Sequence, residues 1–456
     1  MGVEPQQTHA PRGMRTFIII LIGQLISVIG SGVTSFALGV WIYDTTGRAT
    51  PFALTALFAT LPAVLLAPVA GALVDRWDRR RVMIAADTGA ALATLFAAVM
   101  AFTGRLEVWH IYLIALVSSS CGAFQEPAFS ASITLLVPKE QYGRAAGMRQ
   151  GIEAIQTLIA PLLAGVLYVS IGLRGVMLID FATFFVAVGT LLVVRIPRPS
   201  LSEESRREGG DLLREMGYGW RYITARPGLL AMLIYFAFTN FALNLSGALL
   251  VPLVLSFSGA AVLGVIQSLS GLSMLAGSLV MGIWGGPRRR MRGIYILIAL
   301  AGLAFMLVGL RPSPWLTGAG IMLLMLIVPI SSGSSQAIWQ SKVAPDVQGR
   351  VFATRRMIGY SMMPLAFLLA GPLADGIFEP LMAPDGALAP LLGPLIGVGQ
   401  GRGIGLMFAL CGVLLLLLTA LAAAYTPLRR VETDLPDALP DAPVSGAAGE
   451  AAPAEP

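Results

Sequence analysis

Long apolar runs, separated by short polar and mostly basic segments, occupy most of the 456-residue chain. The apolar residues in each run are continuous instead of alternating, and most runs reach the ~20 residues that a helix needs to cross a bilayer. The pattern therefore predicts an all-α integral membrane protein with about twelve transmembrane helices in two pseudo-symmetric six-helix halves. Their approximate spans are 16–42, 52–74, 82–103, 109–136, 145–170, 172–194, 229–256, 260–284, 293–310, 314–340, 350–374 and 404–426.

The same pattern divides the chain into five parts. They are an N-terminal tail at 1–15, a first half at 16–195, a linker at 196–228, a second half at 229–427 and a tail at 428–456. The last part is mainly Pro, Ala, Asp and Glu, which predicts a disordered segment because such residues cannot bury a core. In the linker, apolar residues at helical spacing predict an interfacial amphipathic helix that contacts membrane lipids.

An internal repeat supports two homologous halves. Residues 137–149 match residues 343–355 at an offset of 206 positions, and the same offset aligns Gly165 with Gly371. One offset that holds over such a long stretch indicates duplication of a six-helix unit.

The basic residues predict the orientation of the helices in the membrane. Of the 31 Lys and Arg residues, all but five fall in alternate loops on one side. The five exceptions are Arg48, Arg105, Arg174, Arg311 and Arg402. Because positive residues accumulate on the cytoplasmic side, both termini and the linker are expected to be cytoplasmic.

Composition narrows the function classes. The chain is 56% hydrophobic and 12% charged, whereas soluble domains carry about 25% charged residues. The net charge of +6 is spread over short loops, so no nucleic-acid partner is expected. Cys121 and Cys411 lie inside apolar runs, which predicts no metal site. No phosphate-binding loop or nucleophile–base pair is visible, so we expect no cofactor and no enzymatic activity.

A basic stretch between the second and third apolar runs carries the most specific motif. A run of arginines is costly in hydrocarbon, so the stretch predicts a turn at the membrane surface. Its spacing, G-x-L-x-D-R-x-x-R-R, resembles the signature that the major facilitator superfamily carries between helices two and three. The matching residues, called the gate motif below, are Gly71, Asp75, Arg76, Arg79 and Arg80. The resemblance implies a gate whose charges change partners while two parallel halves rock around a central site.

Four acids inside the apolar runs are the candidate proton-coupling residues, because an ionisable group within a membrane indicates function by default. They are Glu126, Asp87, Glu153 and Asp180. Glu126 is the strongest candidate, since Pro127 beside it frees a backbone carbonyl in the preceding turn. The alternatives are a structural hydrogen-bonding role for each acid and, for Asp87, pairing with the arginines of the gate motif.

Uncharged polar residues on several helices are candidates for lining a substrate cavity. They are Gln24, Ser27, Ser31, Asn240, Asn244, Gln267 and Gln336. The alternative is that they hold neighbouring helices together by hydrogen bonds. The 19 Met and 20 Phe residues favour an adaptable cavity for a lipophilic or amphipathic cargo. No arginine is expected within a span, which argues against an organic-anion site.

Further segments resemble the macrolide-efflux and siderophore-exporter branch of the superfamily. They are 41–47, Pro127, 136–138, 179–180 and 194–197. The resemblance implies a monomeric, multi-pass exporter of the bacterial inner membrane, driven by protons and working by alternating access on a small-molecule substrate. Two alternatives stay open, namely an importer or facilitator with the same fold and a membrane sensor or scaffold that transports nothing.

Overall fold

A computed structural model of the protein describes residues 13–137, 142–194, 219–343 and 347–435. Twelve long helices and no strand lie within these ranges. The helices are α1 Gly13–Thr46, α2 Ala49–Arg76, α3 Arg79–Phe102, α4 Val108–Leu136, α5 142–171, α6 173–193, α7 Pro227–Leu255, α8 Ala260–Trp284, α9 Arg290–Leu310, α10 Pro314–Lys342, α11 Gln348–Leu373 and α12 Arg402–Ala424. The all-α prediction is confirmed.

The boundary between α5 and α6 is a single glycine. In the described ranges, 11 stretches are long and apolar enough to cross a membrane, and one of them runs through both helices. Gly172 interrupts that stretch with φ 66° and ψ −179°. Because glycine has no Cβ, it adopts this left-handed backbone at little cost, and the chain turns there. The chain is therefore a multi-pass membrane protein with a helix on each side of the turn.

The bundle has two distinguishable ends. Connections at 77–78 and 285–289, together with the residues after α12, lie at the end that carries the arginine clusters, called the basic end below. Connections at 47–48 and 103–107 and the segment from α11 to α12 lie at the opposite end. That last segment continues α11 through Ala374–Phe378 and Glu379–Met382 and adds a short helix, Ala389–Ile396.

Part of the tail that was predicted to be disordered is folded. Short helices cover Thr426–Arg429 and Val431–Asp434. The Glu432 carboxylate accepts the backbone N–H groups of Arg290 and Met291, at 3.0 and 3.1 Å, and so caps the first turn of α9. Lys342 Nζ donates to the carbonyl oxygen of Glu432 at 2.6 Å. The prediction was wrong for residues 428–435 because these specific caps compensate for a weak apolar signal; residues 436–456 lie outside the described ranges.

The predicted amphipathic helix of the linker is described only at its end. Residues 219–224 are mostly helical, Ile223 is fully buried and Trp220 is 48% exposed. Residues 195–218 lie outside the described ranges, so the rest of this helix stays a prediction.

The two halves meet along α5 and α8. Gly264 on α8 faces the carbonyl oxygen of Pro161, and Gly165 on α5 faces that of Ala260. Small residues allow two helix backbones to approach this closely, and helix association in membranes depends on such packing. The α5–α8 contact is therefore a close-packed seam between the halves.

We expect Gly264→Val to disrupt this seam. A Cβ at Gly264 would lie 2.5 Å from the carbonyl oxygen of Pro161, which is backbone and cannot move aside. Overpacking of this kind costs about 1–3 kcal/mol, so thermal unfolding of the purified variant should occur several degrees lower. Gly282→Val on the same helix is the control, since nothing lies within 4 Å of its added Cβ. Equal unfolding temperatures for the two variants would contradict the close-packed seam.

Candidate functional site

Asp87 lies in a polar cavity inside the first half. Gln24 Nε2 donates to Asp87 Oδ2 at 3.0 Å, and Gln125 Nε2 donates to Gln24 Oε1 at 2.7 Å. The cavity has a volume of 190 Å³ and is also lined by Ser27 and Ser31. Helices α1, α3 and α4 thus bring one acid and two amides into a continuous hydrogen-bonded chain. Among the described residues, an uncharged amide holds the Asp87 carboxylate, whereas the side chain of the gate-motif residue Arg76 lies outside the described part of the chain.

Asp180 lies at the other side of the same cavity. Its carboxylate accepts the hydroxyl groups of Ser31 and Thr94, at 3.1 and 3.3 Å, and the residue is only 6% exposed. Hydroxyl donors from α1 and α3 therefore hold the acid of α6 in place. This geometry fits the structural alternative for Asp180, which we keep as a secondary candidate for proton coupling.

A larger apolar cavity adjoins the polar one. It has a volume of 560 Å³ and is lined by the start of α3 and the middle of α4. Trp77 and Phe124 contribute aromatic surface, and Ala86 and Cys121 line both cavities. The first half therefore offers an apolar surface next to an acid, a combination that can accommodate a lipophilic molecule with a polar group.

Glu126 forms an ion pair with Arg149 of α5. The Glu126 side chain is 62% exposed and that of Arg149 is 26% exposed. Glu126 is therefore neither isolated nor deeply buried, in contrast to the environment that its place beside Pro127 predicted. Glu153 lies on α5, and its side chain is outside the described part of the chain.

We expect Glu126→Gln to have a small effect. An exposed ion pair contributes about 0–1 kcal/mol, so the free energy of unfolding should fall by no more than that. If the chain exports a drug, as the resemblance implies, that efflux should persist in the variant, because the exposed pair does not isolate the acid from water. Thermal unfolding and drug accumulation in whole cells measure the two quantities. A loss of efflux at unchanged stability would contradict this expectation and make Glu126 the coupling acid.

A second polar cavity lies in the second half. It has a volume of 350 Å³ and is lined by Asn240, Asn244, Gln336, Arg355 and Arg356, among others. Three of the predicted cavity residues therefore share one cavity, whereas Gln267 of α8 lines neither polar cavity. Arg355 is a cavity residue that the sequence pattern did not predict. Arg355 is inside α11, and counting it with the basic loop before that helix concealed it.

Arg80 of the gate motif binds its own half of the protein. Arg80 Nε donates to the carbonyl oxygen of Leu191 at 2.6 Å, and its Nη2 donates to that of Leu192 at 2.7 Å. Arg79 begins α3, whose first turn Asp78 caps by accepting the Arg81 N–H at 3.2 Å. The turn is therefore tied to the end of α6. Gly71, Asp75 and Arg76 lie on α2, and their side chains are outside the described part of the chain.

Asp375 connects the two halves at the opposite end. Its carboxylate accepts the backbone N–H groups of Ala49 and Thr50, at 2.9 and 2.7 Å, and the Thr50 hydroxyl at 2.5 Å. Arg48 Nε is 3.8 Å away. A carboxylate at a helix N-terminus satisfies free N–H groups and favours the helix dipole. The acid at the end of α11 therefore caps α2 and closes this end.

Other features of the opposite end agree with a closed contact. A Cβ at Gly371 would overlap the Cα of Thr50, so α11 and α2 touch backbone to backbone. Gln400 Nε2 donates to the Tyr43 hydroxyl at 3.4 Å, which joins the α11–α12 segment to α1. Within the described ranges no group of His, Cys, Asp and Glu could hold a metal ion.

Twelve membrane helices in two halves, with polar cavities inside and a closed contact at one end, define a membrane transporter. The sequence pattern of the Major Facilitator Superfamily matches residues 20–367. The chain belongs to this superfamily, as the gate motif predicted.

Known proteins place the chain near efflux proteins of that superfamily. Macrolide efflux protein A of Streptococcus pyogenes is 31% identical over 365 residues, which cover 79% of this chain and 90% of the relative. Multidrug efflux pump Tap of Mycolicibacterium fortuitum is 23% identical over 380 residues, 81% and 91% of the two chains. The predicted resemblance to the macrolide-efflux branch is confirmed.

A solved structure confirms the fold. The bacterial homolog of the human lysosomal transporter Spinster, in an inward-facing and unoccupied conformation, superposes with a TM-score of 0.67 at 15% sequence identity. The match covers 92% of this chain and 96% of that one.

Proposed function

We propose that the protein exports a lipophilic or amphipathic small molecule in exchange for protons. The observation that supports this most is the position of Asp87, held by Gln24 in a polar cavity that adjoins a 560 Å³ apolar cavity. A cargo in the apolar cavity would lie beside the acid that binds the proton. Binding of the cargo and binding of the proton can then be coupled, either because they compete directly or because the cargo displaces the Gln24 amide from Asp87.

Asp87 is the proposed coupling acid. A carboxyl group takes up and releases a proton as its surroundings alternate between buried and hydrated, which is what rocking of two halves produces. One proton that moves through a membrane potential of about 100 mV provides about 2.3 kcal/mol. Since about 1.4 kcal/mol corresponds to a tenfold concentration ratio, one proton can concentrate a cargo by well over tenfold.

The cap formed by Asp375 is the proposed closure on the outer side. The basic end is assigned to the cytoplasm because Lys and Arg accumulate there. The protein would then be a monomer of the bacterial inner membrane with both termini in the cytoplasm. Export requires the Asp375 contact to break and the basic end to close, and the gate motif lies at that basic end.

Macrolides are the proposed cargo class, from the names of the relatives above. A macrolide is large and mostly apolar, which agrees with the apolar cavity lined by Trp77 and Phe124. An importer or facilitator with the same fold is the second candidate, because the closed outer end favours neither direction.

Macrolide accumulation in a bacterial strain that lacks its own pumps tests this function. Cells that express the chain should accumulate several-fold less drug than cells with an empty vector, and an uncoupler should abolish the difference. Higher accumulation would indicate an importer. Equal accumulation in both strains, for every macrolide tried, would contradict macrolide export.

A further inference from the structure

Helix α11 carries a guanidinium group into a cavity without acids. Arg355 lies about two turns into the helix and, with Arg356, lines the 350 Å³ cavity of the second half. Among the described residues that line this cavity, none is Asp or Glu. The cavity is therefore positive, in contrast to the cavity of the first half, which contains Asp87 and Asp180.

Neutral groups hold Arg355 in place. Its Nη1 donates to Gln336 Oε1 at 2.8 Å, and its Nη2 donates to Ser335 Oγ at 3.2 Å. The guanidinium carbon is 5.1 Å from the ring centre of Trp339, whose side chain is buried. Arginine has five N–H donors, and these contacts orient the group without neutralising its charge.

The corresponding arginine of the first half has a counter-ion. Arg149 is the equivalent of Arg355 at the 206-residue offset of the internal repeat, and it pairs with Glu126. No carboxylate within the described ranges lies at salt-bridge distance from Arg355. A charge at the edge of a membrane bundle is costly without a partner. Arg149 thus has a counter-ion, whereas Arg355 has none among the described residues. A bound anionic ligand would supply the counter-ion of Arg355 and so explain the difference between the halves.

The side-chain amide of Asn240 is a second donor that faces the cavity, because its neighbour Asn244 is already bound. Asn244 Nδ2 is bound to the backbone carbonyl of Asn240 at 2.7 Å. In the described ranges the side-chain amide of Asn240 has no hydrogen-bond partner. Gly359 leaves space beside it, because even a Cβ there would be 3.9 Å from Asn240 Nδ2. One charged donor and one uncharged donor therefore lie around the same open volume.

We propose that this cavity is a binding subsite for an anionic group, a carboxylate or a phosphate. Arg355 is the charged donor, since a planar guanidinium binds such groups in a bidentate manner. Asn240 supplies a further N–H donor and Arg356 a second positive charge. The anion belongs either to an amphipathic cargo with an acidic group, which a macrolide lacks, or to an anionic lipid headgroup. As a cargo subsite it rests on the proposed transport function, whereas anion binding itself requires no transport.

Binding of two matched probes to the purified full-length protein tests the subsite. Salicylate carries a carboxylate, and salicylamide has the same ring and hydroxyl group with a neutral amide. We expect salicylate to raise the unfolding temperature in a saturable manner and to bind at least about tenfold more tightly than salicylamide. Arg355→Gln should weaken salicylate binding by about tenfold or more, because a bond to Gln336 can be kept but the charge is lost.

Two further variants control for charge and for folding. Arg292→Gln removes the same charge from an exposed position on α9 outside the cavity and should bind salicylate like the wild type. Arg355→Lys keeps the charge and should retain part of the binding, which separates loss of the anion site from misfolding. Equal binding of both probes, no binding of salicylate, or unchanged binding in Arg355→Gln would overturn the proposal.

Lipid nanodiscs distinguish the two sources of the anion. The wild type is compared in phosphatidylcholine discs with and without phosphatidylglycerol. Competition between phosphatidylglycerol and salicylate, lost in Arg355→Gln, would assign the subsite to a lipid headgroup. Salicylate binding that is independent of the lipid would assign it to a soluble anion. If the cells show no macrolide export, the binding results for the anion subsite are unaffected. The proposed transport function and the proposed anion subsite can therefore be refuted independently.

Discussion

Asp87→Asn should abolish uncoupler-sensitive efflux while the protein folds normally. Asparagine has nearly the same shape and can still accept the hydrogen bond from Gln24, which is 3.0 Å from the native carboxylate. It cannot bind and release a proton, so cargo movement loses its connection to the proton gradient. Loss of one proton's contribution, about 2.3 kcal/mol at 100 mV, should reduce the cargo gradient by more than tenfold.

Drug accumulation in whole cells, with and without an uncoupler, measures this effect. Gln24→Leu removes the donor to Asp87 and should impair efflux less than Asp87→Asn, because the acid itself remains. Purified Asp87→Asn should unfold within a few degrees of the wild type, which excludes misfolding as the cause. Full efflux in Asp87→Asn, at equal expression, would contradict the assignment.

Asp375→Ala should open the outer end of the bundle. The substitution removes the cap of α2, which consists of three hydrogen bonds that join the halves. It also leaves two backbone N–H groups without their acceptor. Loss of a helix cap alone costs about 0.5–2 kcal/mol, and each 1.4 kcal/mol changes an equilibrium by about tenfold. The population with an open outer end should therefore rise by about tenfold. Asp375→Asn keeps one acceptor oxygen and should have an intermediate effect.

Spin-label distances between the halves measure the opening. Labels at Thr103 after α3 and at Trp315 on α10 lie in different halves at the same end, with Cys121 and Cys411 replaced by alanine. A longer distance should gain population in Asp375→Ala. Asp44→Asn is the matched control, because Asp44 lies at that end but accepts from Tyr168 of its own half, at 3.1 Å. An unchanged distance distribution in Asp375→Ala would show that the cap does not hold the halves together.

Hydrophobic runs predicted the helices well because a membrane span requires a long apolar stretch whatever it packs against. The boundary between the fifth and sixth spans was also predicted close to Gly172, and a glycine between two apolar runs permits the left-handed backbone that forms this turn. The gate motif predicted the superfamily, because small and charged residues at defined spacing are needed where two helices turn at the membrane surface. These signals are local in the chain.

The contacts that define the site are not local. Asp375 caps a helix that begins more than 300 residues earlier, and hydropathy carries no information about such a pair. The chain of amides from Gln125 through Gln24 to Asp87 depends equally on how three helices pack. Gln24 was predicted as a cavity residue and Asp87 as a coupling candidate, but Gln125 was missed and the pairing of the three was not predicted.

Arg355 shows how a correct rule can conceal a site residue. Positive charge identifies cytoplasmic loops, and Arg355 was counted with them although the predicted span 350–374 already contained it. Its equivalent Arg149 lies near a predicted acid, Glu126, and the repeat could have shown that Arg355 has no such acid at the matching position, Ser332. Comparison of the two halves, residue by residue, is the signal that finds it.

Proton movement in liposomes containing the purified protein is the most direct test of proton-coupled export. A pH-sensitive dye inside the liposomes reports protons while a macrolide is added outside. The wild type should move protons across the membrane only when the macrolide is present, and Asp87→Asn should move none above the level of protein-free liposomes. Macrolide transport by the wild type without any proton movement, or equal proton movement in Asp87→Asn, would contradict coupling through this acid.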